Sequence, residues 1–200
     1  MEFSLVLIGA HNGGKTEALV EQAASTGPVL LVEPVPFLFR DLARRHAGRQ
    51  SVHLLQAAIA ETDAEAVSFF APDESANEIK QYGDQLGSFN PLHAVHHDPR
   101  FSAKVSEIKV KAISFNTIRE RFGISGIDTL MTDTEGYDAR ILMTFPFRLM
   151  RPKRILFEHT HCDGVFHIGR NFAYLLTVLE IHGYRTQVMD GENCQAVRID

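Results

Sequence analysis

Two hundred residues, 44% of them apolar and 22% charged, suffice to bury a sizeable core, and 20 basic against 25 acidic side chains leave a formal charge of −5. That balance gives no general electrostatic footprint for nucleic acid. The longest apolar run, Phe3 to Ala10 broken only by Ser4, falls far short of the ~20 residues a bilayer crossing needs, and it follows Glu2 rather than a basic stretch. Neither a membrane span nor a secretion signal is therefore expected.

Short β-branched runs alternate with longer amphipathic ones, the order expected of βαβ units on a mainly parallel sheet. Leu5–Ile8 reads as a strand, Thr16–Ala24 as a helix and Val29–Val32 as a second strand. Phe37–His46 is a helix with Phe37, Leu38, Leu42 and Ala43 on one face, and Val52–Leu55 is a third strand. After Val67–Phe70 the rhythm stops. Residues 71–107 are rich in Asp, Ser, Asn, Gly, Pro and His with little periodicity, and a stretch that long reads as a lid, a binding loop or a disordered excursion. Strand Ile108–Ile113, a helix near Thr117–Phe122, strand Thr129–Thr132, a helix from about Ala139 and strand Arg154–Phe157 follow. Helix Phe172–His182 leads into a closing hairpin, Arg185–Met189 and Ala196–Ile199 about Gly191. The expectation is one domain over 1–200, with an irregular insert at about 71–107. Cys162 and Cys194, outside any C-x-x-C pair, are expected as free thiols in a reducing compartment, the cytoplasm.

A glycine-rich turn, Ile8-Gly9-Ala10-His11-Asn12-Gly13-Gly14-Lys15-Thr16, closes the first strand and opens the first helix, where backbone N–H groups can meet an anion or a cofactor's polar groups. Gly9 to Thr16 satisfies G-x-x-x-x-G-K-T, the phosphate-cradling loop of a kinase or nucleoside triphosphatase, with Lys15 on the phosphates and Thr16 on magnesium. The same residues also fit the Gly9-Ala10-x-x-Gly13 turn of a nucleoside-binding α/β enzyme. Glu33 stands at the end of the second strand, about twenty residues on, where a doubly wound fold places a carboxylate for both ribose hydroxyls. Leu130-Met131-Thr132-Asp133 is only an imperfect metal-binding strand for the phosphate-loop reading.

Four segments in order resemble the FkbM-type methyltransferases. Ile8-Gly9-Ala10-His11-Asn12-Gly13 is similar to their D-x-G-A-N-x-G loop, and Val32-Glu33-Pro34-Val35-Pro36 with Phe39 and Leu42 to their E-P-x-P…F…L segment. Ile127-Asp128-Thr129-Leu130-Met131-Thr132-Asp133-Thr134-Glu135-Gly136-Tyr137-Asp138, with Leu142, resembles I-D-x-x-K-x-D-x-E-G-Y/A-E…L, the most specific of the four. Pro152 to His159 resembles the strand ending in Glu that follows. Leu7, His11 and Met131 stand where the family has Asp, Asn and Lys.

The resemblance implies a Rossmann-like class I methyltransferase sandwich, with about seven mainly parallel strands, a C-terminal antiparallel hairpin, and S-adenosylmethionine as cofactor. It implies a cofactor set of Gly9, Ala10, His11, Asn12, Gly13, Glu33, Pro34 and Asp133, with Gln56, Ala57 and Ala58 along the adenine. Strand ends on the other side of such a sheet face the acceptor, which brings Asp133, Glu135, Glu158 and His159 to the reaction centre. The implied activity is methyl transfer to a hydroxyl of a sugar or other small metabolite, with a non-catalytic binding module on the same fold as a rival.

Other residues carry blander readings. Asp133 and Glu135 suit a helix N-terminus and would cap the helix after Gly136. Glu158, His159, His161 and Asp163 offer metal-ligand chemistry in a pattern too common to assign, so no metal is expected. His93, His96 and His97 read as surface residues. A homo-oligomer is compatible with the composition.

Overall fold

The computed structural model describes residues 1–199. The continuous apolar runs become strands buried on both faces, as a parallel sheet between helix layers requires. β1 (Glu2–Ile8) lies between β2 (Val29–Val32) and β7 (Gly126–Thr132), with β3 (Val52–Leu55) outside β2, and all these pairs are parallel. β8 (Arg154–Glu158) continues parallel from β7, and β10 (Asn193–Arg198) and β9 (Tyr184–Val188) close that edge antiparallel. The order is β3-β2-β1-β7-β8-β10-β9, the seven-stranded sheet with a terminal hairpin that the sequence leads one to expect.

From Leu5 to Ile8 alternate residues of β1 sort into two cores, and Phe3 at the strand's start joins the second. Leu5 and Leu7 pack with Val20 of α1 (Glu17–Ala24) and Leu42 of α2 (Pro36–Arg45). Phe3, Val6 and Ile8 face the layer of α4 (Phe115–Phe122), α5 (Asp138–Met143) and α6 (Gly169–Ile181), represented by Ile118, Leu142 and Leu175. No described helix is long and apolar enough to cross a membrane.

The insert expected at about 71–107 is bounded more narrowly, because strands extend into both of its ends. β5 (Ala64–Pro72) and β6 (Val105–Ile113) run antiparallel along nearly their whole length and, with β4 (Ala58–Ile59), form a second, three-stranded sheet. The intervening chain folds into short 3-10 turns and α3 (His93–His97) around its own small core of Ala76, Leu86, Ala94 and Phe101. Local periodicity could not reveal this, because each piece is shorter than the window that defines a period.

Candidate functional site

Where β1, β2 and β7 end, the loops after them line a partly open cavity. Its floor includes Ile8, Gly9 and Ile59, and its sides carry Glu33, Val35, Leu38, Ala57 and Ala58. The second sheet and the chain it carries supply Phe69, Gln85, Gly87 and Phe89, while Asp133, Thr134 and Tyr137 close the β7 side. The rings of Phe69 and Phe89 meet edge to face at 5.2 Å, and Phe89 lies 4.5 Å from Tyr137. An apolar cleft with a few convergent polar groups, at the carboxyl ends of parallel strands beside the first crossover, is the usual place for a ligand in such a fold.

The glycine turn is shaped by its neighbours. A Cβ on Gly9, at φ 80°, would collide with the Asp133 carbonyl oxygen, and one on Gly13, at φ 77°, would lie 2.8 Å from Leu42 Cδ1. The turn's amides are largely committed. Gly9 and Ala10 donate to the Val32 carbonyl, Gly13 to Ala10, Gly14 to Asn12 Oδ1, and His11 to Glu33 Oε2. Five donors that a phosphate cradle would turn inward are thus already used, and Lys15 is exposed beside the Tyr82 ring. Glu33 is buried, its Oε1 accepting from Val35 N–H at 2.8 Å and its Oε2 from His11 N–H at 2.9 Å. Burial outweighs those two bonds and raises its pKa to about 7.

Most of the candidate cofactor residues gather here. Gly9, His11, Glu33, Pro34, Ala57, Ala58 and Asp133 line the cavity, and Ala10, Asn12 and Gly13 line a smaller adjoining cleft. Gln56 is exposed and lines neither cleft. Leu7, where the resemblance has Asp, is fully buried against α1 and α2.

The four candidate catalytic residues separate. Asp133 faces the cavity, and burial raises its pKa against the opposing pull of Lys15. Glu135, at φ 53°, turns its carboxylate to His93 Nε2 at 2.6 Å. Glu158 faces His161 Nε2 at 3.4 Å, and burial together with neighbouring acids lifts its pKa to about 10. His159 is drawn away: its backbone N–H and ring Nδ1 both meet the Glu192 carbonyl at 2.8 Å, and its ring lies against Phe172. Neither Asp133 nor Glu135 caps α5; the N-cap Tyr137 offers no side-chain bond, and Asp138 instead accepts from Thr134 N–H and Oγ1.

The histidines of α3 are a correction. His93 is buried and His97 half-buried, and only His96 is exposed. Phe69, Gln85 and Phe89, which no sequence pattern singled out, are cavity walls as well. The one local signal for the histidine pair was its i, i+4 spacing, which puts both rings on one side of a helical turn.

The model of the "Methyltransferase FkbM domain" family matches residues 8–186. No curated protein matches the chain in sequence. Among solved structures, an O-methyltransferase from Bacillus cereus in complex with SAH aligns at TM-score 0.53 and 10% identity, over 98% of this chain and 74% of its own. A precorrin-6y C5,15-methyltransferase from Geobacter metallireducens aligns at 0.50 and 12%, over 98% and 80%. The Methanococcus jannaschii fibrillarin pre-rRNA processing protein aligns at 0.50 and 13% over 98% of this chain, which spans 66% of that protein. At such identities the likeness is one of fold.

Proposed function

The chain belongs to the FkbM family of S-adenosylmethionine-dependent methyltransferases, and from that premise we propose that it methylates a hydroxyl of a sugar or other small metabolite in the cytoplasm. The observation that carries the reading is Glu33: a buried carboxylate at the end of β2, held by two backbone N–H groups and lining a mainly apolar cavity with a few other polar groups. Each of its oxygens keeps a lone pair for a ribose hydroxyl. Ala57 and Ala58 make a flat apolar shelf suited to the adenine. The donor group itself supplies an electrophilic methyl on a positively charged sulfur. Asp133, which accepts no hydrogen bond from a described residue and forms no ion pair with one, suits the cationic end of that donor.

Methyl transfer is an in-line displacement, so the protein's main task is to align the acceptor oxygen with the methyl group. Gln85, Gly87 and Phe89 face that space from the chain between β5 and β6, which makes this segment the natural determinant of the acceptor. Asp133, the candidate carboxylate at the β7 end that faces the cavity, would take the hydroxyl proton as the oxygen–carbon bond forms. The two buried free thiols agree with a reducing compartment. The phosphate-loop reading is disfavoured by the committed amides of Gly9 to Gly14.

The test is a thermal shift with S-adenosylmethionine, its demethylated product and Mg-ATP in parallel. A ligand at ~100 times its dissociation constant adds about 2.7 kcal/mol, which is about 5 to 10 °C for a domain of this size. The adenosyl ligands should give that shift, Glu33→Ala should abolish it, and Lys15→Ala should leave it nearly unchanged. A shift with Mg-ATP alone would overturn the reading, and none with any ligand would favour a non-catalytic module. Labelled methyl transfer to a panel of hydroxyl acceptors then tests the substrate class.

A further inference from the structure

Beside the cavity, three chain segments distant in sequence bring together four side chains rich in metal-ligand chemistry. His93 and His97 come from α3, their ring centroids 4.8 Å apart. His161, just past β8, packs 4.9 Å from the first ring and 5.3 Å from the second. Glu135, just past β7, completes the group, and one ligand atom from each of the four lies within 4.8 Å of the others.

A tetrahedral centre with nitrogen ligands at about 2.0–2.1 Å needs donors about 3.4 Å apart, so closure on a cation requires side-chain movements on the order of an ångström. Three further observations favour such a ligand. His97 Nε2 is buried with no hydrogen-bond partner, a costly state for a polar atom without an occupant. Glu135 and His93 Nε2 already meet at 2.6 Å, so two of the four donors are paired across segments 42 positions apart in sequence. Among the described residues, neither Glu135 nor Glu158 forms an ion pair with Lys or Arg, although both carboxylates are largely buried.

We propose that His93, His97, His161 and Glu135 bind a single divalent transition-metal cation of the zinc class, which clasps the segment carrying α3 to the ends of β7 and β8. Imidazole and carboxylate donors select such ions over magnesium or calcium, which take all-oxygen shells. Glu158, 3.4 Å behind His161 Nε2, is placed to orient that ring. His161 Nδ1 accepts from the Phe166 amide at 2.8 Å, and a cation at that nitrogen replaces this one bond and leaves Nε2–H facing Glu158. Glu135 and Phe166, at φ 53° and 55°, hold left-handed conformations that non-glycine residues adopt only where the surroundings impose them. Metal binding here does not depend on the methyl-transfer reading.

The test uses the full chain without a histidine tag, stripped with a chelator and titrated with cobalt(II), with zinc following by calorimetry. One equivalent should bind with the intense visible bands of a four-coordinate site, and zinc should displace it. His97→Gln should weaken binding by more than about 100-fold, whereas His96→Gln on the same turn and His159→Gln should not change it. Should His97→Gln fail to fold, cobalt-shifted imidazole N–H resonances in the unaltered chain serve instead, three being expected. Absence of stoichiometric uptake, equal loss in His96→Gln, or fewer than three such resonances would overturn the proposal. Because cobalt uptake is read without methyl donor or acceptor, its failure is distinguishable from failure of the proposed activity.

Discussion

The backbone N–H of His11 donates to Oε2 of Glu33 at 2.9 Å, and it does so from a left-handed φ of 51°. A non-glycine residue held there costs on the order of 1–2 kcal/mol, so the loop carries strain at the point where it meets the carboxylate. His11, Glu135 and Phe166 are the described non-glycine residues with positive φ, and all three border the cavity or the histidine cluster.

Glu33 gives the first prediction. Its pKa is raised by burial from an ordinary 4.5 to about 7, so between those values the folded chain holds a proton that the unfolded chain releases. The resulting stability is fully present below pH 4.5 and lost as pH rises through about 7. Urea unfolding of the wild type should therefore weaken between pH 4.5 and 8 by about 3 kcal/mol more than that of Glu33→Gln, which cannot titrate. Parallel pH profiles for the two proteins would contradict a buried, proton-holding Glu33.

Gly9 and Gly48 share nearly the same backbone angle, φ 80° and 79°, but not the same surroundings. Nothing lies within 4 Å of a Cβ built on Gly48, whereas one on Gly9 strikes the Asp133 carbonyl. Gly48→Ala should cost only the conformational penalty, about 1 kcal/mol. Gly9→Ala should cost more than about 4 kcal/mol, because relieving the clash means separating β1's exit from β7's. Chemical denaturation of the two variants checks this, and equal losses would show that conformation alone explains the glycine.

What the sequence revealed follows from how local each determinant is. Val29–Val32 and Val52–Leu55 are strands with those limits because an apolar run between turn residues has few other fates. Glu33 was legible by its distance from the glycine turn. His93 and Glu135, by contrast, are 42 positions apart, and no local pattern signals that their loops converge. His159 and His161 show the limit most sharply. As sequence they form one group with Glu158 and Asp163, yet His161 joins the α3 histidines, His159 is fixed to the Glu192 carbonyl, and Asp163 accepts from the Asn171 N–H at the start of α6.

Ser88 joins the chain between β5 and β6 to the sheet. Its hydroxyl donates to the Glu135 carbonyl at 2.8 Å, and its backbone exchanges both hydrogen bonds with Phe70 at 2.9 Å. Ser88→Ala leaves the backbone pair intact but removes the bond to the Glu135 carbonyl and the one that Ser88 Oγ accepts from the Asn90 N–H at 3.1 Å. The expected loss is about 1–3 kcal/mol, felt in the segment's attachment rather than in the central core. Amide exchange should accelerate over residues 74–103 while β1 and β7 stay protected, and uniform acceleration would mean that the two regions open as one unit.

The two thiols supply the last prediction. Cys162 lies under α6 and Cys194 is fully buried on β10, and burial pushes their pKa values up to about 12 and about 11. Disulfide exchange and alkylation both require the thiolate, so at pH 8 each group is both shielded and almost wholly protonated. An aromatic disulfide reagent should label neither cysteine in the native protein on a timescale of minutes, and both in guanidinium. Since reaction must await opening of the core around β8 and β10, the native labelling rate should track global unfolding and slow in proportion as a bound ligand stabilises the fold. Rapid native labelling of Cys194 would mean that the sheet edge formed by β9 and β10 opens independently of the rest of the core, and of Cys162 that the turn after β8 does so.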